Sequence, residues 1–220
     1  MECTGLQLRR YFYRMDIAAF SSAFIEQLQQ TSYLEWIASG FGVVSVLLAS
    51  KNHVWLYPTG IVSTALYIYL MASGGLYAES ALNAYYLIMS VYGWVRWNNK
   101  HESENAASIS YNGMKDWIVT AGIVGLGWLI LYYTLSTQTD STVPAWDAIV
   151  ASTAWAGMWL LAKHKIENWV LLNISNAIAI PLLISKGLAA TAILTLILFI
   201  VAVIGYFNWR RMYLTQTQKA

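Results

Sequence analysis

Two side-chain amides, Asn173 and Asn176, lie three residues apart inside a long apolar run, and Trp169 precedes the first by four. Those spacings put all three on one helical face. An amide in hydrocarbon needs hydrogen-bonding partners, so such a stripe implies a polar seam turned toward a protein interior. Asn83, Tyr86 and Ser90 make a second stripe; Ser63, Thr64 and Tyr67 a third; Ser152, Trp155 and Trp159 a fourth. The seam is uncharged, polar and aromatic. Amides and hydroxyls suit sugar or alcohol hydroxyls, and indole or phenol faces suit a planar heterocycle, above all a cationic one. Two acids, Glu79 and Asp147, stand near helix starts, where either can draw a cation to the outer mouth. The plainer account of both is a hydrated acid favoured by the helix dipole. For Asn83 and Ser90 the plainer account is a hydrogen bond to a neighbouring helix. For Trp155 and Trp159 it is packing.

These residues must be held by membrane helices. Apolar runs cover 34–50, 54–73, 80–98, 116–136, 145–162, 168–185 and 188–209. A hydrocarbon core about 30 Å thick takes about 17–25 apolar residues as a helix. Hydrophobic residues are 58% of the chain and charged residues 11%, which leaves little chain for a soluble domain. The net charge of +2 is too small to argue for nucleic acid. With one cysteine, Cys3, neither an intrachain disulfide nor a cysteine metal site is available. No metal or cofactor is expected. His53, His101 and His164 fall in connections without ligand pairing, so solvated loop histidines are expected. No nucleophile–base set or phosphate loop is present, so no enzyme is expected. With no acid at the midplane, passive facilitation fits better than ion coupling.

Counting alternate connections, Lys51, the 96–115 connection, Lys163, Lys165 and the tail carry nine of the thirteen Lys and Arg residues. The positive-inside rule makes that side cytoplasmic, with the C-terminus inside and the N-terminus outside. Lys186, Arg9, Arg10 and Arg14 dissent; the three arginines precede Met15, an alternative start to Met1 that would leave only Lys186 in dissent. Residues 1–33 are then an outer-surface segment, with Phe20, Phe24 and Leu28 on one face against the bilayer. Trp36, Trp97, Trp117 and Trp209 read as interfacial anchors. Pro58 and Pro181, inside their runs, are expected to remove a backbone bond and kink each helix.

The chain also repeats. At an offset of 112, Gly75-Leu76 meets Gly187-Leu188, Gly93 meets Gly205 and Trp97 meets Trp209. Leu47-Leu48-Ala49 followed by Trp55 parallels Leu160-Leu161-Ala162 followed by Trp169. A three-helix unit can recur in the same orientation only if one further helix returns the chain. The expected architecture is an all-α membrane protein of seven transmembrane helices in a 3+1+3 parallel-repeat arrangement. Residues 34–98 are the first repeat, 116–136 the linker helix, 145–209 the second repeat and 210–220 a cytoplasmic tail. Such repeats place a substrate site between them near the midplane.

The strings LYAESALNAYYLIMSVYGWVRW (76–97) and STVPAWDAIVASTAWAGMWLLAKHKIENW (141–169) resemble the Pnu vitamin transporters. The PnuC-type branch of that family carries nicotinamide riboside, and others carry thiamin or riboflavin. The resemblance spans about residues 34–211. It implies a SWEET-like three-one-three fold and facilitated diffusion made unidirectional by a cytoplasmic vitamin kinase. It also implies a homotrimer in a bacterial inner membrane. Glu167, Asn168 and Trp169 match the family's ENW, and Asn176 falls where the family places Asn or Asp. Leu172 stands where many riboside-carrying members have tryptophan. The STVPxWD segment and LNxYY look closer to thiamin-carrying members, so thiamin is expected ahead of nicotinamide riboside. A bundle from another class, such as a non-transporting assembly or sensor subunit, would have its amides paired off between helices and no cavity.

Overall fold

The computed structural model describes residues 17–75, 77–98, 108–139 and 141–218. The expectations placed on Cys3, Arg9, Arg10, Arg14, Met15, His101 and Lys219 concern residues outside this set. Within it lie eight helices: α1 (Ile17–Gln30), α2 (Tyr33–Ser50), α3 (Leu56–Ser73), α4 (Tyr77–Asn98), α5 (Met114–Gln138), α6 (Pro144–Ala162), α7 (Asn168–Ser185) and α8 (Ala189–Thr217). Each of the seven apolar runs coincides with one helix. Four of them, α2, α5, α7 and α8, are long and apolar enough to cross a membrane by length and composition. In α3, α4 and α6, tyrosine, tryptophan and amide residues dilute the hydropathy. The chain is an all-helical membrane protein.

The termini of these helices follow local chemistry. Ser32 caps α2 through a box in which its hydroxyl accepts from Glu35 N and Glu35 accepts from Ser32 N. Pro144 opens α6, where its missing N–H costs nothing. Pro58 corrects an expectation. It is the third residue of α3, among the N–H groups that have no helical partner in any case, so it breaks no ladder bond. Only Pro181 lies inside a helix, and α7 continues past it to Ser185.

Packing closes a ring. Helix α2 packs on α3, α3 on α4, α4 on α6, α6 on α7, α7 on α8, and α8 back on α2. Helix α5 packs on α6 outside this ring, and α1 on α8. Gln27 of α1 donates to Gly187 O and accepts from Ala190 N at 2.9 Å, which fastens α1 to the α7–α8 turn.

Structural detail recurs at the spacing of 112. Gly75 and Gly187 both hold positive φ (76° and 74°) after α3 and α7, where only glycine is unstrained. Asn52 and His164 hold φ of 54° and 56° in the turns after α2 and α6. Ser63 Oγ donates to Ala38 O and Ser175 Oγ to Val150 O, both at 2.8 Å. The Tyr57 ring lies over Gly93 and the Trp169 ring over Gly205. This register makes Tyr57, not Trp55, the counterpart of Trp169, and Leu48 that of Leu160.

The core sits at one end of the ring. Tyr57, Trp97, Ile109, Leu161, Ile166, Trp169, Ala202 and Trp209 form a buried cluster there. Trp97 and Trp209 are therefore not interfacial anchors. A glycine four residues before each admits the opposing ring, and both indoles are drawn inward, 2% and 0% exposed. Trp36 and Trp117, at 50% and 46%, remain on the outside. His164 is likewise no solvated loop residue, since it is buried and stacked on Trp97 at 3.6 Å. His53 is exposed, as expected.

Candidate functional site in the six-helix ring

Helices α6 and α7 run antiparallel. Their level is fixed by the Ser175–Val150 bond and by Leu172, whose Cδ2 would lie 2.9 Å from a Cβ on Gly157. This places Asn173 at the depth of Trp155, near the middle of both helices. The exposed stripe of α7 carries Val170 and Ile174, 42% and 43% exposed. Asn176 is two residues from Ile174, about 200° around the helix, and so is turned away from that stripe. On α4, Tyr86 and Ser90 are turned in the same way from Ile88, which is 65% exposed.

Trp155 meets α4 through Tyr85. The rings are 4.8 Å apart, and Tyr85 Oη donates to Trp155 O at 3.1 Å. Tyr86 stands edge-on to Tyr85 at 6.1 Å. Trp155 Nε1 and Asn173 Oδ1 are both buried, and neither has a hydrogen-bond partner. An unmade bond of this kind costs about 1–3 kcal/mol. One is a donor and the other an acceptor, and both lie at mid-depth; the Trp155 ring sits where α4, α5 and α6 meet, between Tyr85 and Gly127. The arrangement can offer a solute an N–H, an amide oxygen and aromatic faces.

Other residues are placed elsewhere. Trp169 is fully buried in the floor cluster, edge-on to Trp209 at 5.7 Å. Trp159 packs near Ile123 and Val124 of α5, with the Lys163 ammonium 4.4 Å from its ring centre. Asn83 Nδ2 donates to Glu79 O in its own helix. Tyr67 Oη is bonded to Ser39 Oγ at 2.6 Å, and Thr64 Oγ1 donates to Gly60 O. Ser90 is buried in the α3–α4 seam beside Gly60. At the end of α6 away from the floor cluster, Asp147 accepts from Lys186 Nζ at 2.7 Å and from Ser141 Oγ, so its charge is matched within the chain. Glu79 is exposed.

Sequence reasoning missed Tyr85, which sits about 100° from the Asn83–Tyr86–Ser90 stripe. It also missed the 108–113 connection, which carries no periodic pattern. Ser110 pairs with Lys165 in a parallel bridge, and Ile109 enters the floor cluster.

A closed ring of mostly apolar helices with unpartnered polar atoms inside is the form of a small membrane transport protein. Residues 32–211 match the nicotinamide mononucleotide transporter family, and the chain belongs to that PnuC-type family, whose members are transporters rather than enzymes. It is 21% identical over 205 residues to the nicotinamide riboside transporter PnuC of Escherichia coli, covering 81% of this chain and 85% of that one. It is 24% identical over 196 residues to the PnuC of Neisseria mucosa, covering 82% and 73%. It is 20% identical over 194 residues to the riboflavin/roseoflavin transporter RibM of Streptomyces davaonensis, covering 86% and 90%. Its fold is similar to the crystal structure of the vitamin B3 transporter PnuC, with a TM-score of 0.68 at 19% identity over 97% of this chain and 92% of that one.

Proposed function

We propose that this protein admits a cationic aromatic B vitamin across a bacterial inner membrane by facilitated diffusion, with thiamin ahead of nicotinamide riboside. The observation that carries this is the pair of buried, unpartnered atoms at mid-depth, Trp155 Nε1 and Asn173 Oδ1. A planar solute with an adjacent acceptor and donor would satisfy both, with its ring against the Trp155–Tyr85 pair. Asn176 and Tyr86 are turned toward the same interior; Ser90, in the α3–α4 seam, and Asn83, bonded to its own helix, flank it, with Tyr67 toward α2. Trp169 forms the floor, and Trp159 supports the α5 side. Asp147 and Glu79 mark the outer mouth. Nicotinamide riboside is the second reading, favoured by the names of the PnuC relatives. Leu172 weighs for thiamin, because the α6–α7 crevice at Gly157 is filled by an aliphatic side chain instead of an indole.

In this reading all seven of α2 to α8 cross the bilayer. The triplets α2–α4 and α6–α8 are parallel repeats, and α5 returns the chain. The recurrence of turns, serine bonds and ring-on-glycine contacts at 112 supports it. The N-terminus is outside and the basic end cytoplasmic. A cytoplasmic kinase traps the vitamin by phosphorylation, and three copies associate.

Uptake of labelled thiamin and labelled nicotinamide riboside into proteoliposomes tests the proposal. Asn176→Leu is expected to abolish uptake of the preferred vitamin while leaving the purified protein monodisperse. Unchanged uptake removes Asn176 from the site. Transport of neither vitamin by the unaltered protein favours a non-transporting subunit.

A further inference from the structure

The two triplets meet along two seams, α2–α8 and α4–α6. At the basic end the repeat makes these seams equivalent, yet they are closed differently. Across α2–α8, Trp209 Nε1 donates to Ala49 O at 2.8 Å and Asn208 Nδ2 to Ser50 O at 3.4 Å. The counterpart of Trp209 on α4 is Trp97, and its Nε1 is buried with no partner. Its symmetric acceptor, Leu161 O, accepts from His164 N at 3.0 Å, just as Ala49 O accepts from Asn52 N at 2.9 Å, but takes no second bond from the indole.

The 108–116 segment covers this second seam. Ser110 N donates to His164 O, and Ile166 N donates to Ser110 O, both at 3.1 Å. Lys165 Nζ donates to Ser110 Oγ and Tyr111 O. Asp116 pairs with Lys163 and, at 3.2 Å, with Lys165. Glu167 Oε1 accepts from Asn112 N at 2.9 Å. Ile109, 2% exposed, enters the cluster of Tyr57, Trp97, Trp169 and Trp209.

We infer that the basic end opens along the α4–α6 seam alone, and that residues 108–116 are the strap that shuts it. The α2–α8 seam is the fixed side, tied by hydrogen bonds from helix to helix. The strap instead is held to the α6–α7 turn by loop contacts and partly exposed ion pairs, and it reaches α4 only through Ile109, packed in the cluster that holds Trp97. Those can be broken without unmaking a helix, and the indole of Trp97 then has a free donor with which to change neighbours.

This rests on the transporter reading, and the test separates the two. In a Cys3→Ser background, Ser110→Cys with Lys165→Cys is oxidised to a disulfide in proteoliposomes, and uptake of both labelled vitamins is measured before and after reduction. A drop of roughly tenfold or more, reversed by reductant, is expected for a locked gate. Ser50→Cys with Asn208→Cys, across the fixed seam, is expected to leave uptake within about twofold. Full uptake with the strap crosslinked overturns the inference, and so does equal blockade by the second pair. If the reduced protein carries neither vitamin, the transporter reading fails and hydrogen exchange decides the strap. The amides of Ser110 and Ile166 are expected to exchange roughly tenfold faster than that of His53, which is bonded to Leu48 O in the counterpart turn. Equal protection overturns the strap.

Discussion

Replacing Gly93 by alanine would put a methyl carbon 2.3 Å from Cε1, 2.5 Å from Cζ and 2.6 Å from Oη of Tyr57. Ordinary contact begins at 3.4 Å, so the shortfall against the nearest atom is about 1.1 Å. The ring has no room to retreat, because Tyr57 is 1% exposed and Trp97, one turn along α4 from Gly93, stands edge-on to it at 5.1 Å. Overpacking of a tight core costs about 1–3 kcal/mol, and a rigid ring facing a backbone position belongs at the upper end. Gly93→Ala is therefore expected to cost about 3 kcal/mol, read as unfolding in mixed micelles by tryptophan fluorescence. The counterpart, Gly205→Ala, meets Trp169 at 2.7 Å and should be damaging to a slightly smaller degree. Tyr57→Leu removes the phenol, so in that background Gly93→Ala should cost about 1 kcal/mol, a coupling of about 2 kcal/mol. Additive losses, or a Gly93→Ala protein within about 0.5 kcal/mol of the parent, would refute the close ring-on-glycine contact.

Ser63→Ala and Ser175→Ala each remove one interhelical hydrogen bond at equivalent places, so each should lower stability by about 0.6 kcal/mol, with the two losses alike. A severalfold difference between them in the same unfolding assay would break the equivalence. Lys186→Ala leaves Asp147, proposed to mark the outer mouth, without its counter-charge. Both groups are partly exposed, so the stability loss should stay below about 1 kcal/mol. The KM for a cationic vitamin should fall by about two- to threefold at low salt, and the difference should vanish near 1 M salt. A KM that rises or ignores salt counts against Asp147 as a mouth charge.

The helices were legible because each apolar run is long and ends at Gly, Pro, Ser or a basic turn. The ring was not, because hydropathy says which residues avoid water but not which helices touch. The repeat narrowed that choice. Gly93 and Gly205, each four residues before a tryptophan, signalled a close contact, though not that Tyr57 and Trp169 are what they admit. The surface assignment of Trp97 and Trp209 failed for the same reason: an indole near a helix end suits an interface as well as a floor. The candidate site was legible as a set of stripes. A period of 3.6 shows which residues share a face, while which faces look inward depends on neighbours. Asn173 and Trp155 meet at one depth only because Ser175 is bonded to Val150. The connection at 108–113 was opaque, since its order comes from Lys165, Glu167 and the floor cluster and not from its own residue pattern.

The duplication also argues where the solute sits. A repeat kept only for scaffolding would retain like residues at like places, as Ser63 and Ser175 do. At the candidate site the halves diverge. The counterparts of Asn173 and Asn176 are Ile61 and Thr64; those of Trp155 and Trp159 are Val43 and Leu47. On the third helix of each triplet, Asn83, Tyr86 and Ser90 face Thr195, Leu198 and Ala202. At these positions the amides and indoles thus gather on α4, α6 and α7, around the α4–α6 seam, while their counterparts on α2, α3 and α8 are aliphatic residues and threonines. A polar group in a lipid-embedded bundle costs stability unless something answers it. Helix packing alone would have distributed such groups on both sides of the pseudo-axis, since the two seams pack alike. On the proposed reading, their collection on one side fits an asymmetric solute: a vitamin with one ring edge to bond and one face to stack, held off-axis beside the seam whose basic end we infer the strap to close.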